Sequence, residues 1–260
     1  MLVYPQLSTG ALGQFPIRKR HTLRTVVNRA ADGSAVKLAD TSAELTEWQL
    51  DYVSLSDGEA DALRQFFVTA EGTLNGFTFL DPAGNLVAWS AALEESVWER
   101  GPLLSIAGGV ADPTGGTAGW RLTNSGAGAQ SIAQTLAGPG EYVYCLSVYA
   151  RSEASTPVTM MAGDNGAVRK ITTDWNRISF TANGEAESSS ISFGLELPAG
   201  ASVEIFGIQV EAQTGASVYK ATTRGGIYAD ARLGDDTLSI TATGENRHSC
   251  TLNIIHAKHL

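Results

Sequence analysis

The sequence is poor in the features that mark secreted and membrane-spanning proteins. It has only two cysteines, Cys145 and Cys250, which are too few for a disulfide framework. No apolar run approaches the roughly 20 residues of a membrane helix, and residues 1–10 lack the charged and apolar regions of a secretory signal. We therefore expect no membrane span, and a protein that is made and assembled in a reducing cytoplasm.

Positive charge is also scarce. The 260 residues include 27 Asp and Glu but 18 Lys and Arg, so the formal net charge is −9. A nucleic-acid-binding face needs a basic stripe, which this balance does not favour, and we expect no nucleic-acid partner. The local exception is a short basic run formed by Arg18, Lys19, Arg20, His21 and Arg24.

Signatures of catalysis are missing as well. The sequence has no Gly-x-Ser-x-Gly segment, no Walker loop and no His-Glu-x-x-His segment. Adjacent carboxylates occur as Glu94-Glu95 and Asp235-Asp236, in predicted surface turns, whereas a glycosidase needs two carboxylates across a cleft. We expect that the chain is not an enzyme and that it has no cofactor.

The residues that are present indicate a mainly β protein with one helix. The 28 glycines fall between short alternating segments, and residues 46–54 alternate at period two, which predicts a half-buried strand. Ser56 and Glu59 form a capping box, which predicts that a helix begins there and runs over residues 57–70. Its apolar face consists of Ala60, Leu63, Phe66, Phe67 and Ala70.

The distribution of strands predicts two domains, one of them discontinuous. After about residue 90 helical periodicity ends, and short strand candidates recur between turn signals, which is typical of a jelly-roll β-sandwich. The last strand candidates, after residue 222, need a partner sheet that the first 90 residues offer. We predict a discontinuous β-sandwich-type domain with one helix, residues 1–92 and 222–260, interrupted by a jelly-roll domain, residues 93–221.

Five segments of the discontinuous domain form a recognisable set: Trp48-Gln49-Leu50-Asp51-Tyr52, Leu55-Ser56-Asp57-Gly58-Glu59, Gly72-Thr73-Leu74, Phe77-Thr78-Phe79-Leu80-Asp81-Pro82 and Gly226-Ile227-Tyr228-Ala229-Asp230-Ala231-Arg232. Together they resemble the first domain of phage distal tail proteins, the ring proteins of the baseplate or tail tip. The resemblance covers about half of the chain. It implies a ring, usually a hexamer, that joins the tail tube protein to the hub and baseplate proteins. It also implies a place at the virion tail tip after assembly in the bacterial host cytoplasm.

Three further segments lie in the predicted insertion: Asp112-Pro113-Thr114-Gly115-Gly116-Thr117-Ala118, Thr173-Asp174-Trp175-Asn176-Arg177, and Phe206-Gly207-Ile208-Gln209-Val210-Glu211-Ala212 followed by Ser217-Val218-Tyr219. They resemble the jelly-roll domains of phage tail proteins that are similar to carbohydrate-binding modules. The resemblance implies an outward-pointing module for host attachment through surface glycans, although a fold by itself does not fix a ligand.

The candidate binding residues follow from this interpretation. Sugar stacking uses exposed aromatic faces, and we assign Trp120, Tyr149 and Trp98 as candidates, with Trp120 the strongest. In a ring, the basic run of an acidic chain suits a charge-complementary contact between neighbouring subunits. We assign this subunit contact to Arg18, Lys19, Arg20 and Arg24.

The resemblance also allows a structural calcium site, because jelly rolls of this kind often hold a calcium ion. Asp112, Asp164 and Glu211 are oxygen donors in suitable segments. Calcium takes six to eight oxygen ligands, and the sequence does not show that three distant donors converge. We therefore assign no metal ligands.

Two alternative functions remain open at this point. The first is a stand-alone carbohydrate-binding adhesin, against which the absence of a secretory signal counts. The second is a glycan-cleaving tail enzyme, against which the absence of a paired carboxylate constellation counts.

Overall fold

The computed structural model describes residues 2–257, and these form sixteen strands and one helix. In chain order they are β1 (Arg18–Arg29), β2 (Ala35–Leu55), α1 (Asp57–Ala70), β3 (Phe77–Leu80), β4 (Glu99–Arg100), β5 (Leu104–Val110), β6 (Gly119–Asn124), β7 (Gln130–Leu136), β8 (Tyr144–Arg151), β9 (Thr156–Ala162), β10 (Asn165–Ile171), β11 (Asn176–Ala182), β12 (Ile191–Leu197), β13 (Ser202–Glu211), β14 (Ile227–Leu233), β15 (Ile240–Gly244) and β16 (Arg247–Ala257). The prediction of a mainly β protein with one helix is confirmed. The helix α1 is neither long nor apolar enough to cross a membrane, and it is the only helix among the described residues.

Tertiary contacts divide the chain into two compact units. The first comprises Met1–Ser8, Gly13–Phe79 and Tyr228–Leu260, and the second comprises Thr9–Leu12 and Leu80–Ile227. The first unit is therefore discontinuous in sequence. Residues 258–260, which the sequence assigned to the same domain, lie outside the described residues.

The boundary between the units differs from the prediction, because residues 9–12, 80–92 and 222–227 belong to the second unit. Asn85 explains the placement of residues 80–92. Its side chain donates to the backbone carbonyls of Ile208 at 3.0 Å and Lys220 at 3.1 Å, and it accepts from the Val210 amide at 3.1 Å. A buried amide with three backbone partners fixes the segment around it to β13, which supplies two of them, and to the segment after β13, which supplies the third.

The first unit is built on one six-stranded sheet, in the order β1-β2-β16-β14-β3, with β15 also paired to β16. Trp48, Leu50 and Tyr52 alternate along β2 and are all buried, as the period-two pattern predicted. β16 pairs antiparallel with β2 from Leu45 to Leu55, although the two strands lie far apart in sequence.

The helix α1 begins as predicted. Ser56 caps it and accepts from the Glu59 amide, while the Glu59 side chain accepts from the Ser56 amide. One face of the helix is buried, with Ala60, Leu63, Phe66 and Ala70. Phe67, which the periodicity also placed on this face, is only half-buried.

The second unit consists of two five-stranded antiparallel sheets, ordered β10-β9-β12-β7-β4 and β11-β8-β13-β6-β5. Alternation along the strands buries one face of each sheet. In β12, for example, Ile191, Phe193, Leu195 and Leu197 are buried while Ser192 and Glu196 are half-buried. These two sheets give the predicted jelly-roll-like β-sandwich.

Candidate functional site

The basic run in β1 lies opposite acidic residues of β2. Three arginines form cross-strand ion pairs: Arg18 with Asp51 at 3.7 Å, Arg20 with Glu47 at 2.6 Å and Arg24 with Asp40 at 2.7 Å. Exposed pairs of this kind contribute about 0–1 kcal/mol each. The cations predicted to meet a neighbouring subunit therefore already have carboxylate partners in their own sheet.

Lys19 points to the other face of β1 and has a different environment. Its Nζ lies 5.2 Å from the centroid of the Trp48 ring and 5.6 Å from that of Tyr228. A cation over two aromatic rings packs within the unit. Of the predicted contact residues, Lys19 is thus the least suited to an electrostatic contact with another subunit.

The outer part of the β1–β2 hairpin, residues 24–40, is a two-stranded segment that we call the ribbon. None of its residues is buried. Val26 lies directly opposite Leu38, and Asn28 opposite Val36, so these side chains share one face of the ribbon. Leu38 is 52% exposed and Val36 58% exposed. The ribbon therefore presents apolar side chains to solvent.

Both edges of the ribbon are open. β1 is the edge strand of its sheet, and the pairing of β16 with β2 covers Leu45–Leu55 and stops short of the ribbon. Within residues 2–257, no other strand pairs with residues 35–40 of β2. The sequence contained no signal that residues 24–40 would extend beyond the sheet.

Trp98 does not fit the predicted role in sugar stacking. It is 3% exposed, and its indole Nε1 donates to the Trp89 carbonyl at 3.0 Å. With its ring in the core and its only donor satisfied, Trp98 has no face for a ligand. It therefore leaves the set of candidates.

Trp120, the strongest sequence candidate, is half-buried on the inner face of β6. Alternation places it with Leu122 and Asn124, which are buried, and opposite Arg121. Its Nε1 donates to the Ala91 carbonyl at 3.0 Å. A side chain at Gly108 would come within 3.1 Å of its ring, so one ring face lies against the backbone of β5. This environment is that of a packed tryptophan.

Tyr149 lies on the outer face of β8 and is half-buried. Its ring centroid is 6.0 Å from that of Phe206, and the guanidinium carbon of Arg177 lies 5.4 Å from its ring. Of the three aromatic candidates, Tyr149 alone lies on the outer face of the sandwich. Trp175, which directly precedes β11, is also half-buried.

The same outer face carries a charged row that sequence analysis missed. Glu204 in β13 lies directly opposite Arg121 in β6 and Arg151 in β8, so the three side chains cross three adjacent strands in one line. Glu204 accepts from Arg121 Nη2 at 2.6 Å and from Arg151 Nε at 2.6 Å. The guanidinium carbon of Arg151 lies 4.9 Å from the centroid of the Trp175 ring.

This row lines a cleft of about 280 Å³, which we call the row cleft, together with polar residues at its rim: Ser152, Glu153, Thr173 and Ser202. The Glu204 side chain is 13% exposed. Burial alone would raise the pKa of its carboxyl, but hydrogen bonds from Arg121 and Arg151 outweigh burial and hold the pKa below its usual value. The carboxylate is therefore charged at neutral pH and orients both guanidinium groups.

The far end of the outer face is closed by residues 213–222, which follow β13. Glu211 is 2% exposed, and its carboxylate accepts from Gln209, Gln213 and both the amide and hydroxyl of Ser217. Gly207, with φ +70°, lies under the Tyr219 ring, where a side chain would come within 3.0 Å. The row cleft is thus the open part of this face.

The residues considered for calcium are not brought together. The Glu211 carboxylate accepts hydrogen bonds from Gln209, Gln213 and Ser217. The Asp112 carboxylate accepts from the backbone amides of Thr114, Gly116 and Ala118 in the turn that follows it. Among residues 2–257, no three His, Cys, Asp or Glu side chains form a group that could hold a metal ion. Both cysteines are buried and free.

Comparison with known proteins gives similarity to solved structures only. No family model and no curated protein matches the chain. A carbohydrate-binding module designated CBM61, solved with β-1,4-galactotriose, is 14% identical with a TM-score of 0.37 over 48% of this chain and 97% of its own. A CBM22 xylan-binding domain from Paenibacillus barcinonensis is 16% identical with a TM-score of 0.40, over 52% and 98%.

A tailspike protein of bacteriophage CBA120, represented by its enzymatically active domain, is also similar. It is 15% identical with a TM-score of 0.38, over 55% of this chain and 23% of its own. At these TM-scores the likenesses carry nothing about ligand or role.

Proposed function

We propose that this chain is a structural component of the tail tip of a phage or phage-like particle. In this role, copies of the first unit form a closed ring, of six copies as the resemblance to distal tail proteins implies, between the tail tube protein and the hub. The second unit points outward and contacts glycans of the host surface. The proposed chemistry is association rather than catalysis.

The observation that carries this proposal is the ribbon. A two-stranded hairpin by itself is at best marginally stable in water, and open strand edges pair readily with other chains. This ribbon also exposes Val36 and Leu38 beside the ion pair of Arg24 with Asp40. A neighbouring copy would bury the apolar side chains and pair the open edges.

A second copy of the same chain is the partner that best fits these features. The ribbon of one copy would contact the remainder of the first unit of the next copy, so the contact joins two different surfaces. A repeated contact of this kind generates a ring when the rotation closes. The ion pair of Arg24 with Asp40 leaves this face of the ribbon close to neutral, so like charges would not oppose the contact.

Electron microscopy and light scattering of the purified protein test the ring directly. We expect rings for the wild type and folded monomers for the double variant Val36→Lys/Leu38→Lys, because two charges would replace the apolar side chains of the ribbon. The matched control is Val168→Lys, at a similarly exposed strand position in the second unit, and it should leave rings intact.

Two outcomes contradict the proposal. Monomeric wild-type protein at all concentrations, combined with glycan binding, would support the stand-alone adhesin instead. Rings that survive the double variant would remove the ribbon from the subunit contact.

A further inference from the structure

The row cleft has more hydrogen-bond donors than acceptors. Both carboxylate oxygens of Glu204 already accept, one from Arg121 and one from Arg151. Arg151 donates through Nε alone, and within residues 2–257 its Nη1 and Nη2 have no hydrogen-bond partner. The terminal edge of the Arg151 guanidinium is therefore free, while the carboxylate behind it fixes its orientation.

Such an edge matches one class of ligand group. Two parallel N–H donors of a fixed guanidinium bind a planar carboxylate through two hydrogen bonds, with both charge and geometry in their favour. Sugar hydroxyls both donate and accept, and of the two carboxylates that line the cleft only Glu153 is free to accept from them, because Glu204 is occupied by the two arginines. We propose that the row cleft binds a carboxylate-bearing saccharide, with the sugar carboxylate on the terminal edge of Arg151. This inference rests on the proposed glycan contact of the second unit and names its ligand class.

The surroundings of Arg151 suit a single acidic sugar. Trp175 supports the guanidinium from one side, and the hydroxyls of Thr173 and Ser202 at the rim can bind the hydroxyls of the ring. The volume of about 280 Å³ lies just below the usual range of ligand pockets, roughly 300–1,000 Å³, so it fits one sugar unit of a longer chain.

The two arginines of the row differ in the donors that they leave free. Arg121 donates to Glu204 through both Nε at 3.2 Å and Nη2 at 2.6 Å, so its terminal edge does not offer two free donors. Arg151 donates to Glu204 through Nε alone. Arg151 is therefore the anchor, and Arg121 serves to hold Glu204 in place.

A surface ion-pair row without a ligand would stabilise the sandwich but bind no sugar, so binding and stability are measured separately. Isothermal titration would use oligogalacturonate, a hyaluronan tetrasaccharide and sialyllactose as probes, with the methyl ester of oligogalacturonate as the uncharged match. We expect at least one acid to bind, and its esterified or neutral counterpart to bind at least tenfold more weakly, a difference of about 1.4 kcal/mol.

Three variants locate the site. Arg151→Gln should lower the affinity at least tenfold, and Ser202→Trp should do the same by filling the cleft while leaving both ion pairs in place. Arg100→Gln, which removes an exposed arginine of β4 in the same unit, is the matched control and should bind as the wild type. Circular dichroism establishes that each variant is folded.

Several results would overturn the inference: no acid binds at about 1 mM, the methyl ester binds as well as the acid, inorganic phosphate competes better than any sugar acid, or binding survives both Arg151→Gln and Ser202→Trp. Ring formation is scored on the same samples. If rings form but no sugar acid binds, this inference is wrong and the proposed ring is supported. If a monomer binds a sugar acid, this inference is supported and the proposed ring is wrong.

Discussion

Replacement of Phe66 by alanine tests the core of the first unit. Phe66 is 6% exposed, and its ring lies 4.8 Å from that of Phe77 and 5.2 Å from that of Tyr4, both in edge-to-face geometry. A phenylalanine buries about 150–250 Å², which at about 25 cal/mol per Å² gives roughly 5 kcal/mol for the whole side chain. Because alanine keeps Cβ, we expect Phe66→Ala to cost about 4 kcal/mol, within the usual range of about 3–5 kcal/mol.

The next helix position supplies a matched control. Phe67 has the same chemistry in the same turn but is only half-buried, so Phe67→Ala should cost less than half as much as Phe66→Ala. A cost of about 4 kcal/mol for Phe66→Ala would lower the urea midpoint by roughly 2 M relative to the wild type, given slopes of about 1–3 kcal/mol per M.

The two cysteines allow each unit to be followed separately. Cys250 lies in the first unit and Cys145 in the second, and burial raises the pKa of both thiols, that of Cys250 to about 11. Alkylation at increasing urea, with mass spectrometry of the two cysteine peptides, reports the unfolding of each unit. Phe66→Ala should shift the Cys250 curve and leave the Cys145 curve in place. Equal costs for Phe66→Ala and Phe67→Ala, or a cost below about 1 kcal/mol for the former, would refute this account of the helix face.

Three smaller changes test other features of the structure. Ser56→Ala should destabilise the first unit by about 1 kcal/mol through loss of the capping box, measured by urea unfolding. Glu211→Ala should destabilise the second unit by about 1–3 kcal/mol, because Ser217 and its neighbours lose a buried acceptor. Hydrogen bonds lower the pKa of Asp112 to about 2, and the bond from the Thr114 hydroxyl contributes more than each of those from backbone amides. This pKa is below the unfolded value of about 3.9. The contribution of Asp112 to stability is therefore present above about pH 4 and lost as the pH falls towards 2. The stability gap between wild type and Asp112→Asn should close over that interval, and a constant gap would contradict this reasoning.

Local features of the fold could be predicted from the sequence. The start of α1 followed from Ser56 and Glu59, because a capping box is a local pattern, and the buried face of β2 followed from the alternation of Trp48 and Tyr52. The boundary near residue 80 could not, because it depends on hydrogen bonds from Asn85 to a strand more than 100 residues away.

The candidate sites were less accessible to sequence analysis. Arg121, Arg151 and Glu204 form a row only through the register of three strands, and register is set by long-range pairing. The burial of Trp98 likewise depends on tertiary packing that its neighbours in sequence do not reveal. The basic run was visible, but its partners Glu47 and Asp51 became apparent only once β1 and β2 were aligned.

The position of β16 in the sheet also sets the timing of folding on the ribosome. Leu50 of β2 lies directly opposite Leu252 of β16, so about 200 residues must be synthesised after β2 before its partner strand exists. At about 5–20 residues per second this takes roughly 10–40 s. The strands of the second unit all emerge within that interval. A nascent chain can thus complete its second unit first, while the edge of β2 that β16 later covers stays open to chaperones and to neighbouring nascent chains.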